Sequence, residues 1–324
     1  MSKLKPTDNR PLAINPETNG ANAASGRITI VTPCFNHVRF IRATIESVLS
    51  QNYSNLEYIV IDGGSTDGSA EIIKEYEPRL SFFVSEKDTG HGNALNKGFK
   101  RSTGEIMAWL NSDDKHMPRA LQTVATIFQQ HPDVNWIVGT NGWWNDQGTM
   151  VSTINVFKNL HDFLSGDFAW IQQESVFWRR SLWEKAGGTI NEDYKLMVDG
   201  ELWTRFFLHD ELYHAHCLLS GYRMHSANRA AQRYSECVSE MRRAIDAVRP
   251  EALKVAARRS NAYPTLIYDH RRGIWTKGVC SRECSLQLEA MRDQLAAMQN
   301  STSWRITAPL RAAIDFIHSI WAYQ

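Results

Sequence analysis

The chain has 324 residues, 43% of them apolar and 22% charged, with a formal net charge of +1. That length buries a large core and suits one main domain with an appendage, while the near-neutral balance removes whole-molecule attraction to nucleic acid. Five scattered cysteines (Cys34, Cys217, Cys237, Cys280 and Cys284) lack the spacing of a zinc site or disulfide framework, and no run approaches the ~20 apolar residues that cross a bilayer. The expectation is a cytoplasmic protein, soluble or peripheral at the inner face of the membrane.

Residues 1–26 are polar and rich in Asn, Pro and Ala, without the apolar centre of a signal peptide, and read as a disordered leader. From Arg27 strands and helices alternate. A β-branched strand over 28–31 ends at Thr32-Pro33, and Ile41, Ile45, Val48 and Leu49 then keep helical spacing up to Gln51. A second strand over 58–61 is followed by a helix over 70–76, a third over 80–84 by a helix over 93–100, and the fourth strand covers 106–110. Leu121, Val124, Ala125 and Phe128 mark one face of the next helix, and 136–138 is a fifth strand. Strands separated by helices of this length predict right-handed βαβ units and a mainly parallel, Rossmann-like α/β sheet flanked by helices.

After Gly142 the regularity weakens. Trp143, Trp144, Trp170, Trp178, Trp183 and Trp203 read as core ahead of a platform for sugar rings. A helix over 201–208 and a strand over 213–219 follow. Beyond Met224 the chain reads as a helical, basic appendage, with thirteen Lys or Arg against six Asp or Glu between Gly221 and Glu283. Cys284, Leu288, Met291, Leu295 and Met298 form a short coiled-coil stripe that packs on the body or on a second subunit, as in a homodimer. The tail from Ser303 to Trp321 is amphipathic and suits either a membrane interface or the protein's own surface.

The most informative stretch is Trp109-Leu-Asn-Ser-Asp-Asp114, two adjacent carboxylates directly after an apolar strand. Such oxygens suit Mg²⁺ or Mn²⁺ arriving with a substrate's phosphates, and a plain acidic turn accounts for the same residues. Context separates the two readings. Thr32-Pro33, Asp62-Gly-Gly-Ser-Thr-Asp67, Asp88-Thr-Gly90 and Asn111-Ser-Asp-Asp114 each end a predicted strand, and in an open parallel sheet those ends converge on one crevice. Gly63, Gly64 and Gly68 allow tight geometry, so the amides before the next helix suit an anion, with Thr66 or Asp67 as a simple helix cap the alternative. Neither a dinucleotide fingerprint nor a phosphate loop is present.

The blocks Thr32-Pro-Cys-Phe-Asn36, Val60-Ile-Asp-Gly-Gly-Ser-Thr-Asp67, Asp88-Thr-Gly-His-Gly-Asn-Ala-Leu-Asn-Lys-Gly98 and Trp109-Leu-Asn-Ser-Asp-Asp114 resemble, in order, those of family-two glycosyltransferases. The resemblance spans residues 27–226 and implies a GT-A fold, with 27–115 the nucleotide-binding half, 116–226 the acceptor half and 227–324 a helical extension. It implies an inverting enzyme that moves a sugar from a nucleotide-sugar donor to a hydroxyl of a glycan or lipid-linked acceptor. Thr32, Pro33, Asp62 and Asp88 would line the nucleotide pocket. Asp113 and Asp114 would form the acidic metal motif for Mn²⁺ or Mg²⁺, Asp114 as direct ligand and Asp113 nearer the ribose or a water. Gln173 and Glu174 would belong to the acceptor side, Asp199 would be the catalytic base, and Arg223 and His225 would touch the diphosphate.

Three positions depart from the family pattern. Gly63 stands where many members have a second acid, Asn93 where Asp is common, and Val198 precedes Asp199 where Glu is usual. On residues alone Asp199 also reads as a helix cap. Two other functions remain to be separated. A sugar nucleotidyltransferase needs a Gly-rich N-terminal loop that Thr32-Pro-Cys-Phe-Asn36 does not supply, and a non-catalytic scaffold leaves the acids as caps.

Overall fold

The computed structural model of the protein describes residues 26–168 and 171–281. Of the expectations above, the leader up to Ser25, Trp170, the stripe from Cys284 and the tail from Ser303 lie outside the described residues.

The first half builds the expected alternation. Strands β1 (Ile28–Cys34), β2 (Leu56–Asp62), β3 (Phe82–Ser85) and β4 (Ile106–Trp109) alternate with helices α1 (Ile41–Leu49), α2 (Ser69–Glu75) and α3 (His91–Arg101). All seven residues of β1 are buried, as a central strand covered on both faces requires. Next come β5 (Lys115–His116), α4 (Ala120–Gln130), β6 (Trp136–Val138), β7 (Asn141–Trp144), β8 (Met150–Ile154) and α5 (Leu160–Ser165). The remainder comprises β9 (Val176–Arg179), α6 (Arg180–Lys185), α7 (Val198–His209), β10 (Tyr213–Ala215), β11 (Ser220–Arg223), α8 (Arg229–Gln232), α9 (Tyr234–Ala256), β12 (Tyr263–Asp269) and β13 (Ile274–Cys280).

Nine strands form the main sheet in the order β13-β12-β10-β6-β9-β4-β1-β2-β3, and β5-β11-β7-β8 form a smaller one. Most pairs in the main sheet are parallel, but β9 runs antiparallel to both β4 and β6. Its short run Val176-Phe-Trp-Arg179 follows a single turn of 3₁₀-helix, so no helical period announced it.

Two expectations are corrected here. The strand over 213–219 stops at Ala215: β10 joins the main sheet, and the chain then turns so that β11, from Ser220, enters the small one. The segment beyond Met224 is not helical throughout. After α8 and α9, β12 pairs parallel with β10 and forms a hairpin with β13, extending the main sheet. Tyr263-Pro-Thr-Leu-Ile-Tyr-Asp269 carries the β-branched and aromatic signal, and Gly273, with φ of 67°, permits the reversal, but the basic run His270-Arg-Arg272 masked both.

The tryptophans bear out the core reading where they are central. Trp109, Trp136, Trp178 and Trp203 are fully buried, and the Trp109 and Trp203 rings stack at 5.7 Å with 13° between planes. Trp143 and Trp144 instead sit half-buried on the small sheet, the latter beneath the Lys115 ammonium.

Candidate active site

The carboxyl ends of β1, β2 and β4 are stitched into one rim. Asn36 accepts the Thr66 amide at 2.9 Å through Oδ1 and donates its own amide to Ser65 Oγ at 2.8 Å. His37 lies 2.6 Å from Ser112 Oγ through Nδ1, and Asp67 accepts the Val38 amide at 2.9 Å. Phe35, on this rim, is 60% exposed. Sequence reasoning gave it no role, because residue type alone does not show that an aromatic in a strand-end motif faces outward.

Thr32 and Pro33 lie buried within β1 rather than on its open end, and the Thr32 hydroxyl is 3.1 Å from that of Tyr58. Asp62 is also fully buried. Its carboxylate accepts the amides of Gly64 and Ser65 at 3.1 and 2.9 Å, and the hydroxyls of Ser65 and Ser85 at 2.5 and 2.6 Å. Asp67 takes the Ser69 amide at 3.0 Å. Of the amides in this loop, those of Gly64 and Ser65 are taken by Asp62, that of Thr66 by Asn36 and that of Ser69 by Asp67. The cap position of α2 is Gly68, with no side-chain cap, so neither Thr66 nor Asp67 is its cap residue, although Asp67 accepts the first amide of the helix.

Asp88 opens the third block, accepting the Gly90 amide at 2.9 Å through Oδ1. A Cβ at Gly63 would stand 2.7 Å from Asp88 Oδ2. The acid that many relatives carry at that position has no room here while Asp88 holds this rotamer.

The acidic pair after β4 is met by residues ending β11. The Arg223 amide donates to Asp114 Oδ1 at 2.8 Å, and its guanidinium donates through Nε to the Asp113 carbonyl at 2.6 Å. His225 Nε2 lies 3.0 Å from Asp113 Oδ2. Arg223 Nη2 is buried without a partner among the described protein atoms. Burial opposes ionisation of Asp113, but the His225 hydrogen bond and the facing imidazoles outweigh it and hold that carboxyl low. Asp114 is pushed well up by burial and by the charges of Asp113 and Glu174.

Gln173 and Glu174, expected on the acceptor side, lie buried in the 3₁₀ turn before β9. Gln173 donates to the Trp109 carbonyl at 2.6 Å, tying the 3₁₀ turn to β4. Gln173 Oε1, Glu174 Oε1 and Ser175 Oγ are buried without partners among the described residues. Burial, reinforced by the Asp199 and Asp113 charges, raises the Glu174 carboxyl to about 8. Asp199 is raised to about 6, again chiefly by burial. Helix α7 begins at Val198 with Met197 at its cap position and no side-chain cap, so Asp199 sits one residue inside the helix and is not its cap residue. The fold thus brings Asp113, Asp114, Glu174 and Asp199 into one electrostatic cluster, with Arg223 and His225 beside it. Thr32 and Asp62 face inward and shape the rim.

Crowded carboxylates with an orphaned buried oxygen suit a divalent cation, which offsets their mutual repulsion. No group of three or more His, Cys, Asp or Glu placed to hold a metal occurs among the described residues. The donor set therefore fits a hard cation held by one or two carboxylates and completed by substrate phosphates, and does not fit a closed protein cage.

Several residues near the cluster escaped sequence reasoning. Glu192 is gripped by Asn93 at 3.2 Å and Asn96 at 2.8 Å, and Asn96 Oδ1 also accepts the Ile190 amide at 2.8 Å. An aspartate at position 93 would face Glu192 with like charge, which accounts for the asparagine. Arg229 on α8 acts on His91, whose pKa falls to about 4 through burial and then through that guanidinium. Neither pairing has a local sequence signal, because each joins segments far apart in the chain.

Similarity to known proteins agrees with this architecture. The model of the family described as Glycosyl transferase family 2 matches residues 29–196. An uncharacterized glycosyltransferase of Rickettsia typhi is 28% identical over 220 residues, covering 64% of this chain and 66% of that protein, so the match leaves about a third of the relative's length uncovered. The putative teichuronic acid biosynthesis glycosyltransferase TuaG of Bacillus subtilis is 36% identical over 91 residues, covering 27% of this chain and 36% of that protein. Among solved structures, S. aureus TarS 1–349 in complex with UDP-GlcNAc superposes with a TM-score of 0.54 at 17% identity, covering 64% of this chain and 61% of that one. The likeness is one of fold, the GT-A type expected from the sequence. The family match takes in all four strand-end blocks and more than half of the chain, and the protein belongs to glycosyl transferase family 2.

Proposed function

We propose that the protein transfers a sugar from a nucleotide-sugar donor to an acceptor hydroxyl in a single displacement with inversion. The observation that carries this reading is the electrostatic cluster itself: Asp199, from the start of α7, acts on Glu174, which in turn acts on Asp114. Acids so distant in sequence gain nothing structurally from this crowding, since like charges in a buried site raise one another's proton affinity.

Asp199 accepts the proton of the acceptor hydroxyl as its oxygen bonds to the anomeric carbon, and the bond from that carbon to the diphosphate breaks on the opposite face. A base whose pKa is about 6 is ionised at neutral pH yet still basic enough for the task. A divalent cation at Asp114 and Asp113 would supply charge stabilisation for the departing nucleoside diphosphate. The unpartnered Arg223 Nη2 is available to a phosphate oxygen, and Arg229 adds positive charge nearby. Glu174, largely protonated at neutral pH, spares the cleft a further negative charge and can donate a hydrogen bond to the acceptor.

The acceptor we assign is a glycan or lipid-linked oligosaccharide of the cell envelope, a reading supported by the similarity to TuaG. No described helix is long and apolar enough to cross a membrane. The test is a panel of UDP-, GDP- and dTDP-sugars incubated with the full chain and Mn²⁺, with nucleoside diphosphate release and anomeric configuration as readouts. Release of inverted product supports the proposal. Pyrophosphate release from a nucleoside triphosphate and sugar phosphate, with no transfer from any nucleotide sugar, overturns it.

A further inference from the structure

Helix α9 lies beyond the family match, yet it grips the segment that leads into Asp199. Glu240 accepts three successive amides: Lys195 at 3.0 Å through Oε1, and Leu196 and Met197 at 3.0 and 2.9 Å through Oε2. Arg243, almost one turn on, donates to the Asp193 carbonyl at 3.0 Å and covers the Tyr194 ring at 4.1 Å. Between them Met241 packs against Gly200, where a Cβ would stand 2.1 Å from the sulfur. One face of α9 therefore contacts residues 193–200 through a carboxylate, a thioether and a guanidinium.

Three consecutive amides directed at one carboxylate form an anion nest at the entry to a helix, a geometry that fixes the backbone on which the next side chain is hung. Met197 is the cap position of α7 and has no side-chain cap, and Glu240 accepts its amide from a distant helix, the bond that the Glu of a capping box makes to the cap residue. We infer that Glu240 is a positioning residue for the proposed catalytic base, holding the 195–197 backbone so that Asp199 stands at the rim of the acidic cluster and lending it negative charge.

The inference rests on the reading of Asp199 as base. Among the described residues, the titratable groups coupled to Asp199 are Glu240 from α9, whose charge raises it, and Glu174 and Cys237, which the Asp199 charge itself raises. Of these, Glu240 alone is bonded to the preceding backbone, so it couples charge to placement. Gly200 belongs to the same arrangement, since a side chain there would displace the Met241 thioether that packs against it.

The test needs no substrate. In the full chain, hydrogen exchange at the amides of Lys195, Leu196 and Met197 is followed in the wild type and in Glu240→Gln and Glu240→Asp. The Asp199 carboxyl is titrated by carbon NMR, its signal assigned by loss in Asp199→Asn. Both Glu240 variants should speed exchange at the three amides tenfold or more, about the effect of losing one charge-assisted hydrogen bond. The titration midpoint of Asp199 should fall in Glu240→Gln and stay nearer the wild-type value in Glu240→Asp, which keeps its charge. Unchanged exchange in both variants, or an unmoved midpoint in Glu240→Gln, overturns the inference. If Glu240→Gln does not fold, Glu240→Asp decides by exchange alone. Full sugar transfer by Asp199→Asn would instead remove the base reading while leaving the exchange result standing, so the two failures are distinguishable.

Discussion

Across 112 positions of sequence, His225 Nε2 stands 3.0 Å from Asp113 Oδ2, and the same strand end delivers the Arg223 amide to Asp114. The acidic pair is thus held by one segment, residues 223–225. Replacing His225 with alanine should weaken binding of nucleoside diphosphate with Mn²⁺ about tenfold, the effect of ~1.5 kcal/mol from a hydrogen bond to a charged group. Isothermal titration calorimetry checks this, and equal affinity would detach His225 from the site.

Asp199→Asn keeps the size of the side chain and removes its basicity. Turnover should fall by ~10²–10⁴-fold with donor affinity unchanged. In the wild type, turnover should decline as pH drops below about 6, where Asp199 becomes protonated. A flat acid limb, or an active asparagine variant, would place the base elsewhere.

Glu174 makes a separate pH prediction. Its folded pKa, about 8, lies above the ordinary carboxylate value, so the folded state holds a proton that the unfolded chain has lost. The stability it contributes is complete below the unfolded pKa and is lost as pH rises through about 8. Without ligand, the unfolding free energy should fall between pH 6 and 8 by up to about 1.4 kcal/mol per unit for one proton, and the melting temperature with it. Glu174→Gln should flatten that dependence in a calorimetric scan.

Gly63 and Asp88 should behave as a coupled pair. Gly63→Ala places a methyl group against the Asp88 carboxylate and should cost roughly 1–3 kcal/mol as an overpacked contact. Asp88→Ala in the same chain should recover most of that cost. Denaturant melts of the single and double variants measure the coupling, and simple additivity would contradict it.

The alternation from β1 to β4 and the four strand-end blocks were legible because each signal is local: a β-branched run, a helical stripe, a turn of Asp and Gly. Asp113, Asp114 and Asp199 became candidates through the family resemblance, and the fold links them electrostatically through Glu174. What escaped was non-local. The clamp of Glu240 on residues 195–197, the pairing of Asn93 with Glu192 and the insertion of β9 between β4 and β6 are set by contacts over long sequence separations, which composition and periodicity do not record. Thr32 and Asp62 lie at the predicted place in the fold, but their polar atoms turn inward to Tyr58 and to the 62–65 turn, a direction that residue type alone does not fix.

Strand β12 completes β10, and through it the sheet edge next to β6, only after more than forty intervening residues of α8, α9 and loop have been made. A shortened protein ending near Ser226 would leave the backbone of His214 and Ala215 without the partners that Thr265 and Leu266 provide, an open ribbon that invites self-association. The practical unit for expression therefore extends at least to Cys280, although the recognisable family sequence stops far short of it.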